Sequence, residues 1–233
     1  MSQTIYAPTV SGNHILNSLE PDECQRLMRF FRAADLEAQQ TLYAPGDLIA
    51  YAYFPVDAVV TAVATMNDGA TVETAMIGRE GVAGVGASIG FHHARQWVRV
   101  LLPGEAVRVE AGVLRELFND SPVWQRLLLR YYAVLMNQVS RRAVCNTRHR
   151  LSERLCTWLL MLHDRAGHDD LPMTQETAAR QLGVRRAGVN ECMGWLQKLN
   201  VVDHRRGHVQ IVNRAALEDA ACVCYTEFAE EMR

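Results

Sequence analysis

The chain has 233 residues, 49% of them apolar, and a formal net charge of −2, enough for one large or two modest domains with real cores. It contains no run of about 18 apolar residues, which argues against a membrane span. Its opening, MSQTIYAPTVSGNH, lacks the basic and apolar regions of a secretory signal, so a cytoplasmic location is expected. The six cysteines, Cys24, Cys145, Cys156, Cys192, Cys222 and Cys224, are then expected to be reduced.

Residues 13–20 and 22–40 have helical patterns. Leu27, Phe30 and Phe31 recur at i, i+3, i+4, and Pro21-Asp22 reads as a helix start. From Thr41 the period changes to that of strands. Pro45-Gly46-Asp47 is a turn signal, Ile49–Phe54 and Val59–Met66 are strand-like, and Asn67-Asp68-Gly69 closes a hairpin with Thr71–Ile77. Val98–Leu102 and Ala106–Val109 flank another turn, Pro103-Gly104-Glu105. Short strands at this spacing predict an antiparallel barrel or sandwich over about residues 41–110.

A short helix is expected over 111–120. Ser121 and Pro122 then start a long one, as N-cap and first-turn residue. Its apolar stripe, Trp124, Leu127, Leu128, Tyr131, Leu135 and Val139, predicts a dimer seam, because the helix exceeds the usual globular length. The competing reading is that the stripe packs on its own barrel. A further helix spans Leu151–His163, and Gly167-His168-Asp169-Asp170 is a polar loop.

The most informative stretch is 174–199, TQETAARQLGVRRAGVNECMGWLQKL. Thr174 suits an N-cap, and Gly183 sits between two helical periods where a tight turn requires positive φ. Ala179 is small where two helices cross, and Val189 and Cys192 are expected to face the first helix. The outer face of the second helix is then Arg185, Arg186, Ala187, Asn190, Glu191 and Gly194. Arg185, Arg186 and Asn190 are side chains suited to base edges in a major groove. Val201-Val202 and Val209–Val212 follow as a small hairpin with His204, Arg205, Arg206 and His208 at its tip. A helix-turn-helix followed by a basic hairpin is a winged helix. Thr174, Gln175, His204, Arg205 and Arg206 are its expected phosphate contacts.

Charge is partitioned accordingly. Residues 141–214 carry 13 Arg/Lys against 7 Asp/Glu, and the remainder 11 against 19. A basic module joined to an acidic one is expected where only one part meets nucleic acid.

A barrel, a long helix and a winged helix, in that order, resemble the Crp-Fnr family of bacterial transcription regulators. The resemblance rests on the 174–199 segment, on YAYFPVDAVVTAVATMNDGATVETAMIGREGVAG (51–84), and on the module order. It implies an α+β chain with a cyclic-nucleotide-binding-like antiparallel barrel or jelly roll and flanking helices over 1–120. A dimerisation helix over 121–146 and a winged-helix DNA-binding domain over 147–233 complete it. It also implies a homodimer on a near-palindromic operator, with Arg185, Arg186 and Asn190 reading bases. Expected partners are double-stranded DNA and a second copy, with RNA polymerase a further candidate and no membrane.

Departures from the family pattern bear on the signal. Cyclic-nucleotide-binding members share a Phe-Gly-Glu step and, later, an Arg-Ala or Arg-Ser pair. Here the step reads Ala83-Gly84-Val85, and Arg95 is followed by Gln96-Trp97. A buried phosphate would be poorly held, so cyclic AMP is disfavoured. Gly78, Gly81, Gly84 and Gly86 could cradle an anion or serve barrel turns, with turns preferred. Only Cys24 lies near the N-terminus, which disfavours an iron–sulfur cluster. The adjacent His92 and His93 converge poorly on one metal, which disfavours haem. No cofactor and no metal site is expected. Cys145 and the Cys222-Val223-Cys224 pair suggest redox thiols, but packing cysteines are the commoner case. Glu73, Glu80 and His92 form no spacing that demands catalysis, so an enzyme is not expected. The alternative to a DNA-binding regulator is a ligand-sensing module acting through protein–protein contacts, which would not need Arg185-Arg186 or Arg205-Arg206.

Overall fold

The computed structural model describes residues 12–231. The first eleven residues, which carry most of the stretch judged not to be a signal peptide, lie outside that range. In chain order come α1 (His14–Asn17), α2 (Pro21–Leu27), β1 (Arg32–Leu36), β2 (Thr41–Tyr43), β3 (Tyr51–Pro55), β4 (Val59–Thr65), β5 (Thr71–Ile77), β6 (Trp97–Leu102) and β7 (Gly104–Glu110). Then follow α3 (Ala111–Asp120), α4 (Pro122–Arg148), α5 (Leu151–Ala166), β8 (Asp170–Leu171), α6 (Gln175–Leu182), α7 (Arg186–Lys198), β9 (Val202–Arg205), β10 (His208–Ile211), α8 (Arg214–Asp219) and α9 (Cys224–Glu231). The α+β class read from the sequence holds: after two short helices come antiparallel strands, then longer helices and a small wing.

Contacts divide the chain into two units. One is Met1–Val60 with Ile77–Tyr132, and the other is Thr61–Met76 with Ala133–Arg233. The first contains the sheet β1-β7-β3 together with β2 and β6, and the second takes in most of β4 and all of β5 but Ile77. In the first sheet β7 pairs antiparallel with both neighbours, Ala34 opposite Ala106 and Tyr53 opposite Arg108. Leu36, Ala58, Val60, Ile77, Ala83, Val100 and Ala106 form a core cluster there.

The helix expected over 22–40 is wrong beyond Phe30. A 3₁₀ turn over Met28–Phe30 ends it, and Arg32–Leu36 is a strand. Arg32-Ala-Ala-Asp-Leu has no strong strand preference. The N–H and C=O groups along β7 need partners, and this segment supplies them.

The β4–β5 hairpin turns as expected: Gly69 takes φ +84, and Asp68 Oδ1 accepts the Ala70 amide at 2.9 Å. α4 starts where predicted, and Trp124 N–H donates to Ser121 Oγ at 3.4 Å. The face of α4 that is buried differs from the expected use. Trp124, Leu128 and Tyr131 are closed off within the chain. Trp124 lies 6.1 Å from Phe31 and 6.2 Å from Phe54, ring centroid to ring centroid, in the first unit's own core. Three of the six expected seam residues are thus used in packing within the chain. Leu127, Leu135 and Val139 are half-buried. The exposed line on α4 is Leu129, Ala133, Met136, Ser140, Ala143 and Thr147, at alternating spacings of four and three. Leu129 is 49% exposed and Met136 60%.

Candidate nucleic-acid interface

The second unit carries the helix-turn-helix. Thr174 caps α6, its Oγ1 accepting the Thr177 amide at 3.1 Å. Ala178, Ala179 and Leu182 are buried. The turn is made by Gly183, in the left-handed region at φ +65, with the Val184 amide bonded to Ala179 O at 3.0 Å. A Cβ on Gly183 would come within 3.2 Å of Val72 Cγ2, so the turn needs glycine for space as well as for φ.

The buried stripe of α7 is Val189, Met193 and Leu196. Cys192, expected to face α6, is only half-buried; the fourfold step to Met193 keeps the stripe in line better than the threefold step to Cys192. Gly188 lets α5 approach, since a Cβ there would stand 2.9 Å from Leu151 Cδ2. Arg185 occupies the N-cap position with no side-chain cap bond, and Arg186, Ala187, Asn190 and Glu191 are exposed. The opening of α7 thus presents two guanidinium groups and one carboxamide outward, with Asn190 one turn beyond Arg186.

The wing is a three-stranded sheet in order β8-β10-β9. Arg205 pairs with His208 across the hairpin, and Gly207 takes φ +85 at its tip. Gln197 Nε2 donates to Asp203 Oδ1 at 3.1 Å, tying β9 to the end of α7. Arg205 is exposed but shares charge with Asp203 at 3.1 Å, and His208 stands 3.2 Å from Asp170. Arg206 is exposed and His204 half-buried. Of the expected phosphate contacts, Thr174 and Arg206 are open to solvent, Gln175 is partly covered, and Arg205 is offset by its neighbour.

The first unit's signal-related residues fall as follows. Gly84 takes φ +86 and opens a 3₁₀ turn over Val85–Ile89. A Cβ on Gly84 would meet Tyr43 Oη at 2.6 Å, and one on Gly81 would meet the Tyr131 ring. Both glycines are close-approach positions, in keeping with the turn reading. Ala83 and Val85 are buried, while His92, His93 and Arg95 are exposed. A cleft of about 390 Å³ is lined by Leu48, Ile49, Ala50, Tyr51, His92, Glu110 and neighbours. Glu73 is committed elsewhere, to an ion pair with Arg142 in the second unit.

Four side chains scattered in sequence converge in the second unit: Cys145 on α4, His149 just beyond it, Cys222 before α9, and Cys224 at its start. Their ligand atoms all lie within 4.8 Å of one another. Cys145 Sγ is 3.5 Å from Cys222 Sγ, and Cys224 Sγ 3.6 Å from His149 Nδ1. Sharing one proton lowers Cys222 toward thiolate and raises Cys145. Cys156, outside the group, is pushed up to about 12 by burial. The sequence offered the Cys-x-Cys and the i, i+4 Cys/His pair, but nothing in it says that they meet.

Residues 153–220 match the family described as the Crp-like helix-turn-helix domain. Among curated proteins none matches significantly. The chain's fold is similar to that of FixK2 from Bradyrhizobium japonicum, at 16% identity, a TM-score of 0.71, and coverage of 83% of this chain and 98% of that one. It is similar to a regulator of the Crp/Fnr family from Eubacterium rectale, at 13% identity, a TM-score of 0.69, and coverage of 89% and 97%. It is also similar to CLP of Xanthomonas campestris, described as a c-di-GMP-responsive global regulator, at 16% identity, a TM-score of 0.67, and coverage of 82% and 99%. Residues 153–220 thus match a Crp-like helix-turn-helix domain, on a chain whose fold is similar to that of a Crp/Fnr-family regulator.

Proposed function

We propose that this chain is a homodimeric, cytoplasmic transcription regulator that binds a near-palindromic operator and acts by binding, not catalysis. The observation that carries the reading is the outward-facing start of α7, where Arg185, Arg186 and Asn190 stand exposed on a stretch that matches the Crp-like helix-turn-helix domain, with Arg206 exposed on the wing. Guanidinium and carboxamide groups are the donors that pair bidentately with guanine and adenine edges. Residues 147–233 serve as the DNA-binding domain and 1–120 as the sensory domain, and RNA polymerase is a further partner of the bound dimer.

The dimer forms through α4, along Leu129, Ala133, Met136, Ser140, Ala143 and Thr147. Their 4-3 spacing is that of a two-stranded coiled coil, and its small residues allow close approach. A two-fold dimer sets half-sites about 34 Å apart, one helical turn. Cyclic AMP is not the signal, because Val85 stands where a ribose-binding carboxylate is needed and Arg95 faces solvent. Selection of bound duplexes from random DNA, with and without cell metabolites, tests the reading. A symmetric consensus is expected. Recovery of no sequence preference, with binding lost on adding moderate salt, would refute it.

A further inference from the structure

We propose that Cys145, His149, Cys222 and Cys224 bind one zinc ion, in a structural Cys₃His site that clamps the start of α9 to the end of α4. Three thiols and an imidazole are a donor set that selects zinc among the common ions, and a closed four-ligand set is the structural kind. The geometry fits a single ion. Zinc–sulfur bonds of about 2.3 Å in a tetrahedron put the sulfurs about 3.8 Å apart. The Cys145–Cys222 distance is 3.5 Å and the Cys224–His149 distance 3.6 Å, with all four ligand atoms within 4.8 Å of one another. An iron–sulfur cluster spreads its four ligands over two or more irons, too far apart for all four ligand atoms to lie within 4.8 Å of one another.

The surroundings suit the ion. The three cysteines are buried and His149 half-buried, so the site is shielded but reachable. Thr157 Oγ1 accepts the Cys222 amide at 3.1 Å and stands 3.0 Å from its sulfur, placed to donate to a thiolate and fix its direction. Zinc with three thiolates and a neutral histidine carries one negative charge. Arg142, itself paired with Glu73, and Arg154 favour the Cys145 thiolate electrostatically. The clamp has a mechanical purpose. α9 is otherwise held to α4 by the Arg141–Glu227 ion pair and by Arg142 over the Phe228 ring at 5.8 Å. A four-ligand ion bridging residues 145 and 222 adds folding free energy outright.

The full chain, purified under reducing conditions without chelator, is assayed by elemental mass spectrometry, and the apo form is titrated with cobalt. About one zinc per chain is expected. Cobalt should give thiolate charge-transfer bands and the strong d–d absorption of a tetrahedral site. Cys222→Ser and Cys145→Ser should lose the metal, and Cys24→Ser should keep it. Thr157→Val should weaken zinc about 10–100-fold while leaving the ligands in place. The cobalt spectrum of the unsubstituted protein decides the matter even where a variant misfolds. Absence of zinc together with an octahedral or null cobalt spectrum overturns the proposal. So does a metal-free protein whose intact mass shows a Cys145–Cys222 disulfide, which would make the pair a redox couple. Retention of zinc by a folded Cys222→Ser also overturns it.

Discussion

Glu73 and Arg142 form an ion pair closed to water, Arg142 Nη2 lying 2.6 Å from Glu73 Oε1, with both side chains almost wholly buried. The other carboxylate oxygen accepts from Thr61 Oγ1 at 3.0 Å and from Trp158 Nε1 at 3.2 Å. Thr61 Oγ1 lies 3.2 Å from Gln181 on α6, the first helix of the helix-turn-helix. Met76 N–H donates to Gln138 on α4 at 2.7 Å. A polar network thus runs from the β4–β5 hairpin through α4 and α5 to the DNA-binding helices. Burying a carboxylate is expensive unless every lone pair finds a donor, and here both oxygens are bonded.

Removing one partner should therefore be costly. Glu73→Ala leaves Arg142 charged and unpaired and should destabilise the protein by about 3–5 kcal/mol. Glu73→Ala with Arg142→Met should recover much of that, since the uncompensated charge goes too. Denaturant unfolding of both variants and the unsubstituted protein measures this. A double variant no more stable than Glu73→Ala would mean that packing, not charge, holds the hairpin.

The two arginine groups should separate in DNA binding. Arg186 and Asn190 lie one turn apart on the exposed face of α7. Arg186→Ala should cost about 1–3 kcal/mol on the best operator and relax preference at one or two base pairs. Arg206→Ala should weaken all sequences alike and lower the salt slope by about one. Arg205, already paired with Asp203, should matter less than Arg206. Titrations over single-base operator variants at two salt concentrations check this. A uniform loss for Arg186→Ala would return it to the phosphate contacts.

The face of α4 proposed to dimerise can be told apart from the face that is core. Met136→Glu places like charges opposite each other in the proposed seam and should yield monomers, with the fold kept. Trp124→Ala empties an aromatic core position and should cost about 3–5 kcal/mol. Light scattering and thermal unfolding read the two effects separately. A Met136→Glu protein that stays dimeric would move the seam elsewhere.

Gly183→Ala forces an L side chain to φ +65 and toward Val72. It should cost about 1–3 kcal/mol, measurable as a lowered denaturant midpoint. A neutral result would mean that the turn relaxes freely.

Calorimetric titration with cyclic AMP at low micromolar concentration should show no saturable heat, given buried Val85 and exposed Arg95. Saturable binding would show that the ribose and phosphate are held by other groups.

Much of the architecture was legible because it is encoded locally. The helix-turn-helix follows from apolar spacing, a capping threonine and a glycine at positive φ, each a matter of a few consecutive residues. The wing, the Asn67-Asp68-Gly69 hairpin and the start of α4 are likewise short-range. The charge partition pointed to the basic module without any structure.

Other features depend on segments far apart in sequence. Arg32–Leu36 is a strand because β7 offers unpaired backbone groups some 70 residues away. The stripe from Trp124 to Val139 was visible, but an apolar stripe does not say whether its partner is its own chain or another. Phe31 and Phe54 settle that for Trp124, and leave Leu129 to Thr147 facing out. The convergence of Cys145 and His149 with Cys222 and Cys224, and of Glu73 with Arg142, has no local signature. By itself the sequence determined what can be built within a few turns of chain. Only tertiary packing decided which distant side chains share a site, because the free energy of such contacts depends on burial that no single segment provides.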